Sequence, residues 1–268
     1  MENLGYPSLK LSKISTIAIP LPPLSEQRQI AGKIEELMQD VDRARAACKK
    51  QLESARALAG AYLRQVFESE DVKKWERRKL GEICEIVAGA TPRTDDLSNW
   101  DGDILWATPN DMGKLVGFTI RNTERRISEK GLKSCSAKLL PIGSVLLTTR
   151  APIGHVAINL KPMCTNQGFK SLVPSSQVHN LFLFFAIKYF VPALRNIGRG
   201  QTFTEISKKQ VQDFMIPLPP LFEQRLIAAK IHELMYQAEC SQVACEKQLQ
   251  AVISLPEIIL RKAFGGEI

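Results

Sequence analysis

Histidine is scarce in this chain, with three residues in 268, and the six cysteines include no CxxC pair. No zinc-ligand spacing follows, and Cys48, Cys84, Cys135, Cys164, Cys240 and Cys245 read as reduced thiols of a cytoplasmic protein. No apolar run reaches the roughly 20 residues of a membrane helix. FLFFAIKYFVPAL, at 182–194, is shorter and contains Lys188. The opening MENLGYPSLK lacks the basic flank and apolar block of a signal peptide. There is no P-loop, hence no ATP-driven motor. Also missing is a methyltransferase's glycine-rich cofactor loop with an Asn/Asp-Pro-Pro-aromatic motif; neither Thr108-Pro109-Asn110-Asp111 nor Pro22-Pro23 supplies it. Cys164 and His155 stand without the context of a thiol nucleophile. These absences point to a chain that reads or binds rather than catalyses, and lies outside the membrane.

What is present is ordinary globular composition, 44% apolar and 24% charged, in a chain long enough for one or two domains. The net charge of +8 is unevenly placed. Residues 75–215 carry 19 Lys/Arg against 12 Asp/Glu, whereas 1–74 have 12 against 10 and 216–268 have 5 against 6. The middle of the chain holds the positive field and is the segment suited to a polyanion.

The flanks are a duplication. Positions 19–67 align without gaps to 216–264 at an offset of 197, with 25 of 49 residues identical. Each copy opens Ile-Pro-Leu-Pro-Pro-Leu, an extended lead-in to a helix start, with Glu26 or Glu223 at the positive helix terminus. Ser25 is a candidate cap, although its counterpart is Phe222. The first copy then shows a heptad seam through Ile30, Ile34, Leu37, Val41, Ala44, Cys48, Ala55, Leu58 and Tyr62, skipping Gln51. The second runs through Ile227, Ile231, Leu234, Ala238, Ser241, Cys245, Val252, Leu255 and Ile259, with Pro256 expected to kink or restart the helix. About 43 residues of helix span roughly 64 Å. The insert leaves one helix end and returns to the next helix start, so an antiparallel pair brings those points together with the insert at one tip. The expected fold class is α+β: one mixed α/β domain on a long antiparallel two-helix coiled coil. The segments are 1–18, 19–74, 75–215 and 216–268.

Within the insert, CEIVAGATPR, GDILWATPND, GSVLLTTRAPIGHVAI and FKSLVP read as strands, and HNLFLFFAIKYFVPAL as its helix. Two basic stretches stand out, RNTERRISEKGLKSCSAK at 121–138 and RNIGRGQTFTEISKK at 195–209. In the second, Arg199, Gln201 and Thr202 are candidates for base edges, and Lys208 and Lys209 for phosphates. Arg93, Thr94, Asn110, Arg125, Arg126, Arg150, Gln167 and Lys170 complete the candidate DNA-contact set.

Taken together, the motifs resemble the specificity (S) subunits of Type I restriction–modification systems over essentially the whole chain. The carriers are both IPLPPL-x-EQR-x-I segments, Trp75-Glu76-Arg77-Arg78-Lys79-Leu80-Gly81-Glu82-Ile83, and LPIGSVLLTTRAPIGHVAI at 140–158. TNQGFKSLVP at 165–174, GQTFTEISKKQVQDFMIPLPPL at 200–221 and the closing RKAFGGEI add to them. The resemblance implies a non-catalytic subunit that binds double-stranded DNA through target-recognition domains. Its helices would act as spacer and dock for methyltransferase (M) subunits, which bind S-adenosylmethionine so that this chain is expected to need no cofactor, with motor-nuclease (R) subunits joining the larger complex. Such subunits carry two recognition domains; here residues 1–18 match only the tail of one, Leu11-Ser12-Lys13-Ile14 paralleling Lys208-Lys209-Gln210-Val211. A half-subunit with one complete domain is expected to read one half-site, and a homodimer to read a palindrome. A scaffold that binds M subunits without specifying sequence is the alternative.

Overall fold

The computed structural model describes residues 18–150, 152–197 and 205–267. The chain divides into two compact units, Met1–Arg56 with Glu239–Ile268, and Ala57–Ala238.

The long helices are α1, Leu24–Phe67, and α7, Leu221–Phe264, of 44 residues each. Glu26 and Glu223 lie in their first turns, as the charge preference of a helix start requires. Ser25 is already inside α1, so it does not cap it. The residue that holds each lead-in is the glutamine of EQR: Gln27 Nε2 donates to the Pro22 carbonyl at 2.7 Å, and Gln224 Nε2 to that of Pro219 at 2.8 Å. Both bonds obey the 197-residue offset.

In the first unit, Val41, Cys48, Leu52 and Ala55 are buried, while Ile30, Ile34, Leu37 and Ala44 are half-buried. The stripe therefore does not skip a place at Gln51, which is exposed; it turns onto Leu52. The second copy does the same, with Gln248 exposed and Leu249 turned inward. A straight helix has 3.6 residues per turn, so a strict heptad drifts and the inward position moves on by one. Ser241 and Leu255 are exposed rather than seam residues, while Ala238 is buried and Cys245, Val252 and Ile259 are half-buried. Pro256 neither breaks nor restarts α7, which runs through it to Phe264. It forfeits one intrahelical bond, and the turns on either side keep theirs. Arg56 pairs with Glu246 at 3.0 Å, and Ile30 and Ile34 line one groove with Ala263 and Phe264.

Among the described residues, the second unit has three sheets. Strand β1, Glu76–Lys79, pairs antiparallel with β10, Met215–Leu218, setting Arg78 opposite Ile216. The central sheet has the order β2-β9-β6-β7-β4: Cys84–Ala88, Lys170–Pro174, Val145–Leu147, Val156–Asn159 and Thr119–Ile120. A smaller sheet has β3, Trp100–Ala107, between β5, Arg125–Ile127, and β8, Cys164–Thr165. Its β3–β5 register shifts between Trp100 and Ile104, where Asp101 adopts φ 56°. The apolar runs of the sequence thus become strands, and the expected helix forms as α5, Asn180–Ile197. Phe182, Phe185 and Leu194 of α5 share a core cluster with Leu147, Leu172 and Ile158 from the central sheet. Leu63 and Phe67 at the end of α1, and Ala228 and Ile231 near the start of α7, belong to that cluster too. Phe67 stacks on Tyr189 at 5.1 Å between ring centroids. The helix ends are therefore tied to the sheet domain by its main apolar core.

Candidate nucleic-acid interface

Three loops meet beside the small sheet. The segment after β2 is pinned first: Trp106 Nε1 donates to the Ala90 carbonyl at 3.0 Å, and Trp100 Nε1 to that of Arg93 at 3.1 Å. Asn99 Nδ2 reaches the same Arg93 carbonyl at 3.1 Å. A Cβ at Gly89 would collide with the Asn166 carbonyl oxygen, so glycine is what lets this segment cross the loop after β8. Thr91 Oγ1 then donates to Gln167 Oε1.

The second loop is the Thr108-Pro109-Asn110-Asp111 turn opening the short helix α3, Pro109–Gly113. Thr108 and Asp111 form a capping box there, with proline in the first turn. Buried Asp111 also accepts from the Glu124 backbone amide at 2.8 Å. Asn110 Nδ2 donates to Glu124 Oε2 at 2.8 Å, and Lys114 lies 3.3 Å from the same carboxylate.

The third loop is the Thr-Asn-Gln-Gly stretch. Asn166 Oδ1 accepts from the Gly168 amide at 2.9 Å, closing a turn that leaves Gln167 exposed. A Cβ at Gly168 would touch both Pro109 and Arg150 at 3.7 Å, which brings those two residues to the same turn. The result is a polar rim of exposed Arg93, Thr94, Asn110, Arg150 and Gln167 on a rigid base.

Arg93 is held by Asp95 through contacts of 3.2 and 2.8 Å, and that partner raises its pKa while lowering that of Asp95. Arg125 sits over the Trp100 ring, 3.7 Å from its centroid, so its guanidinium is a packed cation against the tryptophans. Arg126, opposite Leu105 on β5, is exposed. Lys170 departs from the expected surface role: its side chain is 9% exposed and meets Glu205 at 3.3 Å. Because it points inward from β9, it holds the carboxylate of Glu205, whose backbone forms an isolated bridge with Arg150. Lys208 and Lys209 are exposed on α6, Lys208–Asp213, whose capping box is closed by Ser207 and Gln210. Arg199, Gln201 and Thr202 lie outside the described residues.

The rim offers guanidinium and amide groups, the side chains that bond bidentately to guanine and adenine edges. Asp95 and Glu124 orient two of them, Arg93 and Asn110. Sequence reasoning missed Thr91, Asn166, Glu124 and the tryptophan anchors; the Asn-Gln-Gly turn was their visible signal. Burial pushes the Cys84 and Cys164 thiols up to about 12, which keeps both protonated and far from nucleophilic. Among the described residues no helix is long and apolar enough to cross a membrane.

Fold and rim together define a class: a duplicated long-helix protein with an inserted α/β domain that presents a basic, amide-rich rim. The family model described as the Type I restriction modification DNA specificity domain matches residues 3–54 and 72–251, and the chain belongs to that family. The Type I restriction enzyme MjaIX specificity subunit of Methanocaldococcus jannaschii is 40% identical over 158 residues, covering 58% of this chain and 37% of that protein. The putative MjaX specificity subunit of the same organism is 29% identical over 241 residues, covering 84% of this chain. The chain spans only 54% of that relative, so it represents part of the length of the curated proteins it matches. The crystal structure of the HsdS subunit from Thermoanaerobacter tengcongensis superposes with a TM-score of 0.67 at 29% identity, covering 100% of this chain and 65% of that one.

Proposed function

We propose that this chain is a DNA-specificity subunit of a Type I restriction–modification complex, non-catalytic itself, with methylation and cleavage residing in M and R subunits. The observation that carries the reading is the rim of Arg93, Asn110, Arg150 and Gln167, whose loops are pinned through the Arg93 carbonyl and the Gly168 amide and whose Asn110 is held by Glu124. Residues 75–215 form the target-recognition domain and read one half-site. Arg126, Lys208 and Lys209 meet phosphates, and Arg199, Gln201 and Thr202 are further candidates for base edges.

The repeats at 19–74 and 216–268 form an antiparallel two-helix coiled coil that spaces the half-sites and docks M subunits in the cytoplasm. In support, Arg56 meets Glu246 while the start of α1 shares a groove with the end of α7, the opposite-direction pattern. A two-fold dimer would then read a palindrome with a fixed gap. The test is duplex binding by the chain with its M subunit, comparing wild type with Asn110→Ala and Gln167→Ala. Loss of preference at one or two base pairs, each about 1–3 kcal/mol, is expected. Unchanged preference in both variants would remove the rim as the reader.

A further inference from the structure

Lysine is almost never buried unless paired, because an ammonium gives up its hydration only at a heavy cost. The Lys170 side chain is 9% exposed, and its one acidic partner among the described residues is Glu205, whose own side chain is 38% exposed. Such a pair is a poor source of stability, since apolar replacements of buried ion pairs are often neutral or stabilising. Its use is better sought in what it holds together.

Three backbone segments run side by side around it. Residues 148–150 follow β6 directly and lie between 168–169 on one flank and 205–206 on the other. On the first flank Thr148 bridges Phe169, and the Thr149 amide donates to the Gly168 carbonyl at 2.8 Å. On the second, Arg150 bridges Glu205, and the Ile206 amide donates to the Thr149 carbonyl at 2.9 Å. Lys170 is the next residue after Phe169, so its 3.3 Å bond to Glu205 ties the two outer segments together across the middle one. Thr148, Thr149, Gly168 and Phe169 are buried, whereas Arg150 and Gln167 project from the end of this ladder.

We propose that Lys170 and Glu205 are positioning residues for sequence reading: their bond clamps the ladder that presents Arg150 and Gln167, and Lys170 acts through that rim rather than on DNA. Bidentate contacts with base edges need their groups held to within about 0.5 Å, so a loosened ladder costs discrimination before it costs overall affinity. The proposal rests on the rim being the reader and deepens that reading.

The test uses the full chain with its M subunit. It compares binding to the preferred duplex with binding to a duplex altered at the base pair that Gln167→Ala ceases to discriminate. Lys170→Met is expected to lower that ratio by about fivefold or more. Glu205→Ala should do the same, and the double variant no more than either, because all three lose one contact. Hydrogen exchange of the Thr149 and Ile206 amides should quicken by about tenfold in each. The salt dependence of binding should keep its slope in Lys170→Met; a slope smaller by about one would make Lys170 a phosphate contact and overturn the proposal. Phe67→Ala, which loosens the cluster of the α5 phenylalanines, is the control. An equal fall of the ratio there would reduce the pair to general stability and overturn its positioning role. If Lys170→Met does not fold, Glu205→Ala, at the more exposed end of the pair, decides alone. An unchanged ratio beside a lost preference in Gln167→Ala overturns the clamp and leaves the rim as reader. No preference lost in Gln167→Ala itself removes the rim, and the clamp falls with it.

Discussion

Gln224→Ala isolates the contribution of the EQR glutamine, because the duplication provides its own control. Gln224 is 1% exposed and makes three bonds, from the His179 amide at 2.8 Å and to the Gln177 and Pro219 carbonyls at 3.0 and 2.8 Å. Truncation leaves one donor and two acceptors without that partner, each costing about 1–3 kcal/mol if still buried. Water entering from the lead-in side recovers part of this, so a net loss of about 3 kcal/mol is expected. Gln27→Ala removes one bond from a half-buried site and should cost about 1 kcal/mol. All three tryptophans, Trp75, Trp100 and Trp106, lie in the unit that contains Gln224, so their fluorescence reports its unfolding directly. With a urea slope of about 2 kcal/mol per molar, the fluorescence midpoint should fall by about 1.5 M for Gln224→Ala. Circular dichroism should show a shift of about 0.5 M for Gln27→Ala. A fluorescence shift below about 0.5 M, or equal shifts for both variants, would refute the claim that the buried turn at 177–179 depends on this side chain.

Three further outcomes follow from the same geometry. Phe67→Ala empties a buried site stacked on Tyr189 and should destabilise the sheet-containing unit by about 3–5 kcal/mol, read as an earlier tryptophan transition. Trp100→Leu removes the ring under Arg125 and the indole bond to the Arg93 carbonyl; DNA affinity should fall while the circular dichroism spectrum of the helices stays unchanged. Asp96 is held down to about 2 from 3.8 by bonds from Ser98 and then Lys130. Its folded pKa lies below its unfolded value, so its contribution is present above pH 3.8 and lost as pH falls toward 2. Asp96→Asn should flatten the acid limb of the stability curve in that window.

The duplication was legible because identity at a constant offset needs no knowledge of packing. The VLL strand at 145–147 and the FLFFAI stretch of the helix at 182–187 were legible because burial at every position leaves uninterrupted apolar residues. The inward turn at Leu52 was not, since whether a heptad drifts is decided by the helix's partners rather than by its own residues. Lys170 shows the limit for charge: a lysine in a strand reads as exposed until its partner, 35 residues away at Glu205, is known. The rim was visible only as residue types. Its assembly depends on Gly89 crossing the 165–168 loop and on two indole bonds, contacts that no local pattern encodes.

The central claim is that the inserted domain specifies DNA sequence. Its most direct test is selection from a randomised duplex pool by this chain with its M subunit. The account predicts enrichment of a defined half-site, alone or as a two-part palindrome if the chain dimerises, and loss of preference at one or two of its base pairs in Gln167→Ala. Tight, salt-sensitive binding with no enriched sequence would contradict it and leave phosphate contacts alone as the source of affinity.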